Sequence, residues 1–195
     1  MSVAVKIPPV ARMTVTEFLA WPGDPSKRRY QLVEGEPVAM APAARRHGAI
    51  QAELGALLRN HLRERGSPCI VITEPGISPR IRTEWNVRIP DLAVTCGPDD
   101  GQHLVADPVL VVELLSPSNE AETWANVWTY STVPTVREML VVSTIEIRAW
   151  LLRRSDDGSW PERFEEILGH SGQVALRSID AVFDLRAFYA TTSLT

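Results

Sequence analysis

"VLVVELLSPSNEAETWANVWTY", residues 109–130, joins two kinds of structure, and its reading decides the fold. Val109 to Leu115 is apolar except for Glu113. A short apolar run of this kind, preceded by Pro108, predicts a buried central strand. Alternation along it puts Val109, Val111, Glu113 and Leu115 on one face and Leu110, Val112 and Leu114 on the other. Both faces are apolar, so Glu113 is expected to be at least partly buried. Taking a carboxylate out of water costs several kcal/mol even after relaxation. A cationic side chain, backbone donors or a metal ion must offset that cost. From Asn119 the pattern changes to a helix of about three turns, which ends before Pro134.

Upstream, "DLAVTCG" predicts a second buried strand, with Asp91 at its start just after Pro90. If the two strands are neighbours, the carboxylates of Asp91 and Glu113 converge. Two carboxylates, a backbone carbonyl and waters suit a hard octahedral cation such as Mg²⁺. The alternative is a pair of unrelated acids, Asp91 at a turn and Glu113 salt-bridged to an arginine.

Working outward, "MTVTEFLAW" carries a capping box, Thr14 and Glu17, and predicts a short helix that packs Phe18 and Leu19. "WPGDPSKRR" is a loop. "YQLVEGEPVAM" predicts a hairpin turning at Glu34-Gly35. "RRHGAIQAELGALLRNHLRERG" is a helix with Ile50, Leu54, Leu57, Leu58 and Leu62 at helical spacing, ended by Gly66. "REMLVVS" and "IEIRAWLLRR" predict a strand pair, "SDDGSW" a turn, and "RFEEILG" and "QVALRS" further strands. Asp184 is expected to cap a short final helix, "LRAFYA". The order predicts one α/β (α+β) domain over residues 1–195, a central mixed β-sheet flanked by helices, with residues 1–12 a flexible segment.

Composition narrows the class. The chain has 195 residues, 45% hydrophobic and 23% charged, which is ordinary for a soluble domain. No stretch reaches the length of a membrane span, and "MSVAVKIPPVARM" has no apolar signal core, so a cytoplasmic location is expected. Cys69 and Cys96 have no CxxC or Cys/His setting and read as two reduced, half-buried thiols. The net charge is −4, with 13 basic and 11 acidic residues in 1–100 against 7 and 13 in 101–195. The N-terminal half is thus the better phosphate-facing half. Lys6 and Lys27 are the only lysines.

"YQLVEGEPVAMAP", "HGAIQAELGALL", "RIPDLAV" and "PVLVVELLSPS", followed by a helix ending in Tyr130 and then "REMLVV", occur in a collinear order. Over residues 13–155 this order resembles the Uma-type family of bacterial "putative restriction endonucleases", in the PD-(D/E)XK nuclease superfamily. The resemblance implies a restriction-endonuclease-like core and a Mg²⁺- (or Mn²⁺-) dependent phosphodiesterase site. Asp91 and Glu113 match the family's acids, and Leu114 would offer its backbone carbonyl to the metal. Leu115 stands where the plain superfamily pattern has lysine. In this family the lysine comes from the next helix, four residues before the tyrosine, and here that residue is Asn126. Glu122 matches the family's acid one turn earlier, and Gln31 stands where the hairpin usually has glutamate. His47 matches a family histidine.

The catalytic candidates are therefore Asp91, Glu113, Asn126, Gln31 and His47. Lysine in such a site stabilises charge developing on the phosphate, and Asn126 can hold a water but carries no charge. His47 either faces the site or rims the core stripe, and Gln51 shares its helix face. Glu34 and Glu36 are exposed turn acids, or Glu36 is aimed at the site. Ser116 and Ser118 lack a histidine partner and are read as turn residues. Trp124 and Trp128 are spaced for core or dimer packing, with Asn126 off their stripe. Arg45, Arg46, Arg80, Arg82 and Arg88 are candidates for contacts to DNA phosphates. Exposed strand edges suit a homodimer. The leading reading is a metal-dependent DNA endonuclease. The alternatives are a catalytically silent nuclease fold that binds nucleic acid or protein, and a homodimeric module whose acids only form salt bridges.

Overall fold

The computed structural model describes residues 12–24 and 29–194. Lys6, Lys27, Pro25 and the N-terminal segment up to residue 11 lie outside the described residues. Six strands form one sheet: β3 (Ile70–Thr73), β4 (Leu92–Thr95), β5 (Pro108–Leu115), β6 (Glu138–Ser143), β7 (Arg148–Arg153) and β8 (Glu165–Leu168), after the hairpin β1 (Tyr30–Val33) and β2 (Glu36–Ala39). They lie in sequence order, β3-β4-β5-β6-β7-β8. All pairs are antiparallel except β5 with β6. That parallel pair needs a crossover, which carries the helix Glu120–Tyr130. The sheet is mixed, as expected.

Period-two alternation on β5 separates two cores. Leu110, Val112 and Leu114 pack with Ile50, Leu54, Leu58 and Leu62, which line one face of the helix Arg45–Glu64. Val111 and Leu115 pack on the other side with Val127 and Tyr130 of Glu120–Tyr130. The first helix, α1 (Val15–Ala20), has the expected capping box but buries no residue, and Leu19 is exposed. Six residues are too few to present a whole apolar stripe to the sheet. The two helices just described are α2 (Arg45–Glu64) and α3 (Glu120–Tyr130).

The hairpin turn has φ 52° at Glu34 and 85° at Gly35, the pair of positive values of a two-residue turn. "RIRTEWNVRIP" holds a 3₁₀ turn, Thr83–Trp85. A short C-terminal pair, β9 (Gln173–Leu176) and β10 (Ala181–Asp184), precedes a 3₁₀ turn, Leu185–Tyr189. Asp184 makes no side-chain cap there, because its carboxylate accepts from Gln173 instead. Trp124 stacks on Phe164 and meets Trp150 edge-on, whereas Trp128 is 47% exposed.

Cys69 and Cys96 correct the expectation of free thiols: they form a disulfide. The cause is register. Ile70 pairs with Thr95 between β3 and β4, so the residues one step outward, Cys69 and Cys96, stand opposite each other. Among the described residues no helix is long and apolar enough to cross a membrane.

Candidate nuclease site

Leu92 of β4 pairs with Val112 of β5. Extending that register by one step sets Asp91 opposite Glu113, on the α3 side of the sheet. The two acids are neighbours, and among the described residues no arginine pairs with Glu113. Asp91 is held at four points. Its Oδ2 accepts the Leu114 N–H at 2.7 Å, and its Oδ1 lies 2.6 Å from His47 Nε2. Its backbone carbonyl accepts from Gln51 Nε2 at 2.9 Å and from the Glu74 N–H at 3.0 Å.

Glu113 is 6% exposed and accepts a hydrogen bond from the Tyr130 hydroxyl at 3.0 Å. Burial, and then the adjacent Asp91 charge, push its carboxyl well above the usual carboxylate range. Burial and the Glu113 charge likewise push the Tyr130 phenol well up, so Tyr130 stays a donor. A second buried glutamate provides the contrast. Glu138 is 0% exposed, and it accepts from Arg153 Nε at 2.8 Å and from the backbone N–H groups of Arg177 and Ser178. Glu138 is a satisfied structural acid. Glu113 has another acid where Glu138 has an arginine.

The two acids open onto a cleft of about 1380 Å³, also lined by Gln31, His47, Glu122 and Asn126. Gln31 donates through Nε2 to Glu122, while its Oε1 is buried with no partner. Asn119 ties the loop after β5: its Oδ1 accepts from the N–H and hydroxyl of Ser116, and its Nδ2 donates to the Leu114 carbonyl at 3.2 Å. Ser116 and Ser118 share a hydrogen bond at 2.9 Å and line the cleft as turn residues. Leu115, at the superfamily's lysine position, is packed in the core under α3.

The donor set fits a hard divalent ion. Two facing carboxylates and the Leu114 carbonyl are all oxygens, and a cation would let both acids be ionised together. Among the described residues no group of three or more His, Cys, Asp or Glu side chains is placed to hold a metal, so the candidate set has two carboxylates only.

Of the five arginines expected at phosphates, Arg45 and Arg46 line the cleft, and Arg46 also donates to the Thr144 carbonyl. Arg80 and Arg82 do not line it, and Arg82 pairs with Glu34. Arg88 is 7% exposed and donates to the Leu32 carbonyl, so it is no surface contact. Glu36 is exposed and away from the cleft lining. In the sequence Tyr130 is only a landmark for the helix, and no motif marks Asn119 or Glu74 as site residues. Glu74 carries a visible sign only in the structure: φ is 49°, its N–H is on Asp91, and its carboxylate pairs with Arg29.

Comparison with known proteins agrees with this fold. A 30% identical, uncharacterized protein of Synechocystis sp. aligns over 186 residues, 93% of each chain. The crystal structure of a "putative nuclease" of the DUF820 group from Anabaena variabilis superposes with a TM-score of 0.74 at 14% identity, covering 91% of this chain and 98% of that one; at that identity it shows a shared fold. The model of the family described as "Putative restriction endonuclease" (Uma2) matches residues 15–178, and the chain belongs to that family.

Proposed function

We propose that this chain hydrolyses phosphodiester bonds in DNA, with Mg²⁺ or Mn²⁺ held by Asp91, Glu113 and the Leu114 carbonyl. The observation that carries this is the facing pair of acids, half-buried Asp91 and buried Glu113, of which Glu113 lacks any basic partner among the described residues. When bound, such an ion polarises the phosphodiester and lowers the pKa of an attacking water. The chain's own groups do the rest. The Leu114 N–H and His47 fix the two oxygens of Asp91. Tyr130 fixes Glu113. His47 is within reach of Asp91 at the cleft and can accept or return a proton at a reacting oxygen. Arg45 and Arg46 at the cleft favour backbone phosphates. The chain would work in the cytoplasm as a homodimer, with exposed Trp128 a candidate for cover by the second copy.

The experiment is plasmid cleavage with Mg²⁺, Mn²⁺ or EDTA, by the wild type and Asp91→Ala. Metal-dependent cleavage lost in Asp91→Ala supports the proposal; identical traces with no metal-dependent activity overturn it.

A second reading has its own observation. Asn126, 8% exposed in the cleft, is uncharged where the resemblance calls for lysine. On that reading the chain binds nucleic acid or a protein partner without turnover. Activity that emerges only in Asn126→Lys selects it.

A further inference from the structure

Arg88 lies three residues before Asp91 and is 7% exposed. Its Nη1 donates to the Leu32 carbonyl at 3.0 Å, and its Nε is buried without a partner. Among the described residues it forms no ion pair. Leu32 bridges antiparallel to Val87, so one further step sets Gln31 opposite Arg88. Gln31 is 2% exposed and its Oε1 is also without a partner. Two facing residues thus hold a buried donor and a buried acceptor, neither of them satisfied. Both lie on the α3 side, since Ile77, bridged to Arg88, belongs to the core with Tyr130.

A buried guanidinium without a direct ion pair is costly, and an apolar side chain there would be cheaper. Its charge is felt by Tyr130 and Glu122 of the site, and by Glu34 in the hairpin turn. Tyr130 donates to Glu113, and Glu122 accepts from Gln31. Arginine also keeps its charge when buried, where lysine tends to lose it.

We propose that Arg88 is the fixed positive charge of this site, acting from behind Tyr130 and Glu122 in place of the lysine that α3 lacks at Asn126. The inference rests on the nuclease reading of Asp91 and Glu113. Arg88 does not line the cleft, so it is a positioning residue. It strengthens Tyr130 as a donor to Glu113 and adds positive field where a phosphate gains negative charge.

The test uses the full chain with Arg88→Met and Arg88→Lys, reading Mn²⁺ affinity by calorimetry, plasmid cleavage, and melting temperature. Arg88→Gln, able to keep the bond to Leu32, is the neutral variant should methionine not fold. Removing the charge should tighten Mn²⁺ binding about threefold to tenfold, because the ion's two charges are repelled more than the one of a displaced proton. Cleavage should fall roughly a hundredfold, with partial rescue in Arg88→Lys. Weaker Mn²⁺ binding together with lost cleavage marks a mere structural prop and overturns the inference. So does a folded neutral variant with both readouts unchanged. A wild type that neither binds Mn²⁺ nor cleaves overturns the nuclease reading itself, and this inference with it.

Discussion

Asp91 and Glu113 face each other across β4 and β5, and the N–H of the residue after Glu113 donates to Asp91 at 2.7 Å. One acid is therefore oriented by the backbone of the strand that carries the other. Any shift in the pairing of these strands moves both.

The first prediction concerns pH. Glu113 holds its proton well above its ordinary value of 4.5 when folded. The folded chain then binds more protons than the unfolded chain above that value. Its stability is full below about pH 4.5 and declines as pH rises through the raised folded value. Melting in EDTA from pH 5 to 8 should show this decline in the wild type and a flatter curve in Glu113→Gln. Millimolar Mg²⁺ should restore the wild type at the alkaline end but not the variant. Parallel curves in EDTA would contradict the assignment.

Tyr130→Phe removes the hydroxyl that donates to buried Glu113. The expected cost is about 1–3 kcal/mol, read from urea unfolding at fixed pH. A second variant, Tyr130→Phe with Glu113→Leu, should recover much of it, since both polar partners are then gone.

His47→Ala frees Asp91 Oδ1 without touching the Leu114 contact. Metal-dependent cleavage should drop about tenfold to a hundredfold, the usual effect of losing a group that orients a ligand. Mn²⁺ affinity should weaken over a similar range, while the melting temperature changes little. Unaltered cleavage would place His47 at the rim of the core stripe instead.

Several of these partners could not be read from residue order alone. The stripe Ile50, Leu54, Leu58 and Leu62 declares α2, and a glutamate in an apolar run declares a site at Glu113. That Asp91 faces Glu113 depends on the β4–β5 register, a long-range property. Tyr130 meets Glu113 only because the crossover helix returns its last turn over β5. Arg88 reads as a surface arginine between Val87 and Ile89. Its burial follows from the hairpin strand β1, which bridges to Val87 and covers it. The cysteine pair was missed for the same reason: 27 residues of separation hide a one-step extension of β3 on β4.

The Cys69–Cys96 bond is itself testable. Closing a loop with that separation should contribute about 3–4 kcal/mol by chain entropy. Non-reducing mass measurement should show two hydrogens fewer than the free-thiol chain, and Cys69→Ser with Cys96→Ser should lower the urea midpoint. Exposed Cys96 leaves the bond open to a thiol reductant, so the midpoint should also fall on adding dithiothreitol.

Glu113, Leu114, Asn119 and Tyr130 all lie in the one crossover from β5 through α3. Asp91 and His47 come from elsewhere in the chain. Evolution can thus inherit one half of the centre as a contiguous cassette that also holds the sheet together. The other half can drift without unfolding the molecule, so a descendant can retire from chemistry while keeping its architecture.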